Sequence, residues 1–126
     1  MTISAQDILD FVDNLLNKHS EVISNYQINP ETFYRSLISR LYFYVFHRAK
    51  DELLARGIYI PRTGKAHSII KKELRKRDRY LGDLYKDLRD KRNEADYDIK
   101  NKTITLADIL DIRNKVKDFD YLISTI

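Results

Sequence analysis

Apolar residues recur along this chain at intervals of three and four positions, the spacing of helices with one buried face. No segment alternates for long between apolar and polar residues, as a half-buried strand would. The longest continuous apolar run, 41–46, is apolar on every side, so its helix should lie at the centre of the fold. The pattern predicts one all-α domain over 1–126, a compact up-down bundle of four or five helices including a short extra one.

Capping residues indicate where these helices should begin. Ser4 followed three positions later by Asp7 has the form of a capping box, and Thr105 with Asp108 repeats it. Residues 29–31, Asn-Pro-Glu, combine a cap, a proline at the first helical position and an acidic first turn. The predicted helices cover 4–25, 30–56, 66–77, 82–95 and 106–122, with a break or irregular turn at 78–82.

Composition excludes several classes of protein. The chain has no cysteine, so disulfides and thiolate metal sites are impossible, which fits a reducing cytoplasm. Its first residues lack the apolar centre of a signal peptide, and no apolar run is long enough for a membrane span. Motifs of phosphate-binding loops, zincins and serine hydrolases are also missing. We therefore expect a cytoplasmic protein without membrane contact, metal or cofactor.

Positive charge is concentrated in one stretch. The net charge is +4, and residues 71–79 alone carry six basic and two acidic side chains. Such a patch on an otherwise near-neutral chain is a candidate contact for a nucleic-acid backbone, or else a solvated helix end. The candidate phosphate contacts are Lys71, Lys72, Arg75, Lys76 and Arg77.

The helix predicted at 82–95 places charged residues against its own apolar stripe. At about 100° per residue, the stripe is formed by Leu81, Leu84, Leu88, Ala95 and Ile99. Arg92 falls within this stripe, and Arg89, Asn93 and Asp96 lie near it. An unpaired buried charge costs several kcal/mol, so Arg92 must be paired or bind a ligand. Asp96 could pair with Arg92 or Arg89, or the arginines could grip an oxyanion.

The three histidines have different expected roles. His47 follows the apolar run on the central helix, where a hydrogen-bonded core histidine is commoner than a catalyst. His67 begins a helix beside the basic stretch and is either a surface residue or part of a cleft. His19 should complement the dipole at the end of the first helix.

Polar residues of the central helix also need partners. Arg40 is a cation at risk of burial, with Asp96 as one candidate partner and Ser36 plus solvent as the other. Tyr42 and Tyr44 should serve the core with bonded hydroxyls. Tyr80 and Tyr85 could stack on bases, although core packing is the preferred prediction for Tyr85.

Three segments together resemble one known family. Residues 88–98, LRDKRNEADYD, contain the run R-x-x-R-N-x-A-D-Y, and residues 39–57 read SRLYFYVFHRAKDELLARG. Lys65-Ala66-His67 is similar to the K-T-H that opens that family's next helix. These segments occur in the order found in the HEPN superfamily (higher eukaryote and prokaryote nucleotide-binding domains). The chain most resembles its short stand-alone, toxin-like bacterial and archaeal members.

The resemblance implies an RNA-directed function. Many HEPN domains are metal-independent ribonucleases of toxin or defence type, with an R-x4-6-H motif that supplies a cation and a proton-transfer group. Arg92-Asn93 matches its start, but Tyr97 stands where histidine would be. The implied catalytic residues are Arg92, Asn93, Asp96 and Tyr97, with His47 or His67 as a replacement for the histidine.

The resemblance also implies partners. HEPN domains pair as homodimers so that two such motifs face one cleft, and the chain would then bind RNA or a nucleotide. Many small HEPN proteins instead bind a minimal nucleotidyltransferase. The alternative function is therefore a non-catalytic interaction module that homodimerises and binds such a partner.

Overall fold

The computed structural model describes residues 3–126, and within this range every regular element is a helix. The helices are α1 (Ala5–Asn17), α2 (His19–Asn25), α3 (Pro30–Ala55), α4 (Ala66–Arg77), α5 (Arg79–Tyr97) and α6 (Leu106–Ile123). The predicted all-α bundle is confirmed, with six helices in this range rather than four or five.

The long helix α3 lies at the centre, in contact with α1, α4, α5 and α6. Leu41, Val45, Ala49 and Leu53 are fully buried along it. Burial of each large aliphatic side chain contributes about 1.5–3 kcal/mol, so this stripe is a main source of stability. Charged residues occupy other positions of α3. No helix within residues 3–126 is long and apolar enough to cross a bilayer.

The predicted helix starts are confirmed by their caps. Ser4 Oγ accepts a hydrogen bond from the Asp7 backbone N–H at 3.3 Å, and Asp7 accepts one from the Ser4 N–H at 2.8 Å. Thr105 and Asp108 form the same pair at α6. At α3, Asn29 Oδ1 accepts from the backbone N–H of residue 32 at 3.0 Å. Each cap satisfies backbone donors that a helix start leaves free.

The predicted first helix is in fact two, because the chain bends at Lys18. At the bend, the His19 side chain bonds the Leu16 carbonyl at 3.0 Å, which satisfies an acceptor near the end of α1. Beyond it, Val22 and Ile23 pack against the core from α2. No proline or glycine precedes the bend, so the sequence pattern did not reveal it.

The break predicted at 78–82 is present, but it is confined to Asp78. Its side chain accepts from the Leu81 backbone N–H at 3.1 Å and caps α5. Gly82 lies inside α5, where α4 and α5 make their closest approach. A Cβ atom at this position would lie 2.8 Å from the Arg75 backbone nitrogen and 2.9 Å from its Cα. The glycine therefore permits close packing rather than a break.

A buried arginine holds the other end of α5. Arg35 Nη1 donates to the carbonyl oxygens of Glu94 and Ala95, each at 2.9 Å. Its Nη2 donates to Asp98 O at 3.3 Å and to Lys102 O. Because α5 ends here, Ile99 leaves the predicted apolar stripe and is 68% exposed.

Candidate functional site

An open cavity of about 220 Å³ lies where α3, the start of α4 and α5 meet. It is lined by Ser39, Arg40, Tyr42, Phe43, Phe46, His67 and Arg92. The segments 39–57, 65–67 and 88–98, which are far apart in sequence, each supply part of this lining. The fold therefore brings the three family-like segments to one place.

Arg92 contributes a partly satisfied cation to the cavity. Its Nε lies 2.8 Å from Asp96 Oδ2 and its Nη1 donates to Asn93 Oδ1 at 3.3 Å. The guanidinium carbon also lies 5.9 Å from the ring centre of Tyr42 and 5.6 Å from that of Tyr97. The predicted Arg92–Asp96 pair is formed, yet Nη2 has no partner among residues 3–126. The side chain is 30% exposed, so a ligand can reach it.

Asp96 ties the arginine helix to the central helix. Ser39 Oγ donates to Asp96 Oδ2 at 3.2 Å, so the carboxylate that holds Arg92 is itself held from α3. The alternative partnership of Asp96 with Arg40 is not formed. Arg40 is exposed, and its guanidinium carbon lies 5.7 Å from the ring centre of Phe43. The expectation that Arg40 is at risk of burial is therefore wrong.

Arg89 lies one turn before Arg92 and lacks a counter-ion. It makes no ion pair within residues 3–126, and its buried Nε has no hydrogen-bond partner there. Burial raises the pKa of Tyr42 and lowers that of His67, and the positive charge of Arg89 opposes the first change and adds to the second. The predicted Arg89–Asp96 pair is not formed, because Asp96 pairs with Arg92. The positive charge of Arg89 is therefore not offset by a carboxylate within residues 3–126.

Three polar side chains form a hydrogen-bonded chain behind the cavity. The Tyr42 hydroxyl lies 2.5 Å from His67 Nδ1 and 2.8 Å from the hydroxyl of Tyr85, which is fully buried. Burial, with the neighbouring Arg89 and Arg92, lowers the pKa of His67 below its usual value. Burial raises the pKa values of Tyr42 and Tyr85. At neutral pH all three groups are therefore uncharged.

The other predicted histidine lies outside this arrangement. His47 contacts Phe43 and Phe46 edge to face, with ring centres 4.3 Å and 5.2 Å away, but it is not part of the cavity lining. Burial and the nearby Lys50 lower its pKa. His47 is half-buried and its side chain makes no hydrogen bond within residues 3–126, so it matches neither the predicted hydrogen-bonded core histidine nor a replacement for the missing motif histidine in the cavity lining.

The predicted basic stretch is partly neutralised. Arg75 pairs with Asp83 at 3.2 Å, and Glu73 pairs with both Lys76 and Arg77. Lys71 and Lys72 form no ion pair within residues 3–126. They line a shallow groove on α4 together with Ser68, Arg75 and Lys76. Lys71 follows His67 by one helical turn, so the two residues lie near one side of α4.

Two features of the site were missed by sequence reasoning. The sequence placed Tyr42 and Tyr85 in the core without linking their hydroxyls to His67, which only tertiary packing brings together. Arg35 was overlooked, although it belongs to a regular stripe of buried residues. That stripe continues through Ile38, Tyr42, Val45 and Ala49, so the argument applied to Arg92 would have found it.

Comparison of the chain with family models, with curated proteins and with solved structures found no match. Within residues 3–126 no group of three or more histidine, aspartate or glutamate side chains is arranged to hold a metal ion. The resemblance to HEPN proteins therefore rests on the three segments that line the cavity.

Proposed function

We propose that this chain is a HEPN-type domain that binds RNA or a nucleotide, with a phosphate group held in the cavity beside Arg92. The observation that carries the proposal is the position of Arg89 and Arg92. Arg92 lines the open cavity, the charge of Arg89 acts on Tyr42 and His67 of the same lining, and only Arg92 has a carboxylate partner. The free Nη2 of Arg92 could donate a charge-assisted hydrogen bond to a phosphate oxygen, and a phosphate would also offset the desolvation of Arg89.

The aromatic lining supports a nucleotide rather than a simple anion. The cavity is bordered by the rings of Tyr42, Phe43, Phe46 and His67. Unpaired bases stack on such rings, each contributing about 1–3 kcal/mol to binding. A base against Phe43 with its phosphate near Arg92 would use both kinds of lining. Single-stranded RNA presents both groups together, whereas a duplex buries its bases.

The groove on α4 would extend the phosphate contacts. Lys71, Lys72 and Arg79 are the cations of the basic stretch without an acidic partner within residues 3–126, and the two lysines line this groove. The three paired residues, Arg75, Lys76 and Arg77, would contribute less, because their charge is already offset.

Salt-dependent binding tests this function. Fluorescence anisotropy with a labelled single-stranded RNA should give an affinity that falls as salt rises, with a slope of about −0.7 per phosphate contact. Arg89→Ala should weaken binding about tenfold and reduce the slope by about 0.7, because one contact is lost.

Lys117→Ala is the matched control for that experiment. Lys117 is exposed on α6 and outside the cavity lining, so its removal changes the net charge equally but leaves the site intact. Equal losses in Arg89→Ala and Lys117→Ala would show non-specific attraction and contradict the proposal. Binding without salt dependence would contradict it as well.

In a catalytic form the same site would cleave RNA without metal, by attack of the 2′-OH. Tyr97 occupies the position of the family's histidine, and its ring centre lies 5.6 Å from the Arg92 guanidinium carbon. This placement favours a role for Tyr97 at the phosphate. Incubation of RNA in chelator would reveal cyclic-phosphate ends if cleavage occurs, and Arg92→Ala should abolish them. Intact RNA with retained binding would restrict the function to binding.

A second candidate function is protein binding, favoured by exposed apolar groups beside the cavity. Phe43 is 39% exposed, Tyr97 73% and Ile99 68%. These groups would serve a homodimer in which two cavities face one cleft, or a nucleotidyltransferase partner. Light scattering of wild type and Phe43→Ser tests the first case. A dimer that becomes a monomer in the variant supports it, and a wild-type monomer contradicts it.

A further inference from the structure

We infer that Tyr85 and Tyr42 are positioning residues that hold His67 as a hydrogen-bond donor through Nε2. The cavity would then select a ligand with an acceptor oxygen, such as a phosphoryl group, at this point. The part concerning the ligand rests on the proposed function, whereas the state of the His67 ring does not.

The argument begins with the proton of Tyr85. Its hydroxyl is fully buried, and within residues 3–126 its neighbours are the Tyr42 hydroxyl at 2.8 Å and His67 Nδ1 at 3.4 Å. A buried hydroxyl without an acceptor costs about 1–3 kcal/mol. Tyr85 must therefore donate, and the nearer acceptor is Tyr42.

The direction of the remaining bonds follows. When Tyr85 donates to Tyr42, the single proton of Tyr42 points to His67 Nδ1, 2.5 Å away, which must then be unprotonated. In the reverse direction, Nδ1–H would donate to Tyr42 and Tyr42 to Tyr85, whose proton would have no acceptor. Tyr85 could instead donate to Nδ1 at 3.4 Å while Tyr42 donates to Tyr85, but this also requires an unprotonated Nδ1. The ring proton of neutral His67 therefore resides on Nε2.

His19 provides the opposite case in the same chain. Its Nδ1 lies 3.0 Å from the Leu16 carbonyl oxygen, which can only accept. His19 must therefore carry a proton on Nδ1, whereas His67 carries it on Nε2. Any method that distinguishes the two tautomers can be calibrated within one molecule.

A donor at Nε2 determines what His67 can do. Phosphoryl oxygens only accept hydrogen bonds, so Nε2–H complements the guanidinium of Arg92 on the same cavity. If His67 instead gave up this proton, Nδ1 would need the proton of Tyr42, and Tyr42 that of Tyr85. The charge would then rest on a buried phenolate, which burial strongly disfavours. His67 therefore binds the ligand and does not replace the missing proton-transfer histidine.

Nitrogen NMR of the full chain with 15N-labelled histidine tests the tautomer directly. The spectrum is recorded without ligand, at a pH where imidazoles are neutral, and assigned with His67→Gln and His19→Gln. We expect His67 to carry its proton on Nε2 and His19 on Nδ1. A proton on Nδ1 of His67, or rapid exchange between its two nitrogens, would overturn the inference. The tautomers themselves are read from the wild-type spectrum, and the two variants serve only to assign its signals.

Two further measurements test the positioning role and the ligand. In a Tyr42→Phe/Tyr85→Phe double variant, with folding checked by circular dichroism, the two His67 tautomers should exchange. Affinity for inorganic phosphate should fall about tenfold with loss of one fixed donor to a charged ligand. A fixed tautomer in this variant would show that the tyrosines do not hold the ring.

Titration with inorganic phosphate should shift the His67 Nε2 signal of the wild type and leave His19 unchanged. If the proton is on Nε2 but phosphate does not shift the His67 signal, phosphate binding here is refuted and the positioning of the ring by the tyrosines is retained. If phosphate shifts the signal but the proton is on Nδ1, the hydrogen-bond chain is refuted and the proposed function is retained.

Discussion

Arg35 lies against the C-terminal end of α5, whereas Arg89 and Arg92 belong to that helix, and their terminal nitrogens are bonded differently. The buried Nε of both Arg35 and Arg89 lacks a hydrogen-bond partner within residues 3–126. Arg35 is buried, and both of its terminal nitrogens donate to backbone carbonyls at the C-terminal end of the helix. Near the cavity, Arg92 has a terminal nitrogen without a partner within residues 3–126, and Arg89 makes no ion pair there. The comparison shows that burial alone does not reveal an arginine's role. Terminal nitrogens that are all bonded to the backbone indicate a role in folding, and a free terminal nitrogen that lines a cavity indicates a role in binding.

The largest effect should come from Arg35→Ala. The substitution leaves the carbonyls of residues 94, 95, 98 and 102 without their donor and opens a buried space, so the free energy of unfolding should fall by about 3–5 kcal/mol. Urea denaturation followed by circular dichroism measures this. A loss below about 1 kcal/mol would show that solvent replaces the guanidinium and that Arg35 does not have the structural role assigned to it.

Gly82→Ala should be next, because it acts on the cavity side without changing any cavity residue. The added Cβ would meet the Arg75 backbone at 2.8 Å, so α4 and α5 must separate, at a cost of about 2 kcal/mol. Gly64→Ala is the control, since no atom lies within 4 Å of its added Cβ. Thermal unfolding should distinguish the two variants, and similar midpoints would contradict the tight contact.

Arg89→Ala should have the opposite sign to Arg35→Ala. Removal of a half-buried charge without a counter-ion should leave stability unchanged or increase it by up to about 1 kcal/mol. RNA affinity should fall in the same protein. A stability loss comparable to that of Arg35→Ala would show that Arg89 is structural and would remove the difference between the two arginines.

The smallest effect concerns acid. Because the folded state lowers the pKa of His67, the unfolded chain binds more protons near the ordinary value of 6.5. The stability contributed by neutral His67 is therefore present above pH 6.5 and is lost as pH falls below it. His67→Gln should weaken this acid sensitivity by less than about 1 kcal/mol. Denaturation curves across this pH range measure the change, and an unaltered pH profile would contradict it.

Local signals of the sequence predicted much of the fold. The capping pairs at Ser4 and Thr105 and the Asn29-Pro30 start are short-range features, so they could be read directly. The bend at Lys18 has no such signal. The role of Gly82 was predicted wrongly, because the sequence does not distinguish a glycine that permits close contact between helices from one at a helix boundary. Helix packing, rather than local preference, decides between those two cases.

The site was predictable to the extent that it lies within one helix. The Arg92–Asp96 pair follows from a spacing of four residues, and the structure contains it. The contact of His67 with Tyr42 and Tyr85 joins three helices, so no spacing contains it. The same holds for Arg35, whose acceptors lie about sixty residues away. Partners within one helix could be predicted from spacing, but partners on other helices could not.

The contact at Gly82 also limits how this protein can change by mutation. Two of the atoms that an added Cβ would meet are the nitrogen and Cα of Arg75, which every amino acid possesses. No second substitution at position 75 can therefore restore the space that a side chain at position 82 would take. A side chain at position 82 would change the separation of α4 from α5, and with it the placement of His67 opposite Arg92. A second substitution at position 75 could not reverse that change. Variation can alter what lines the cavity far more easily than it can alter how wide the cavity is.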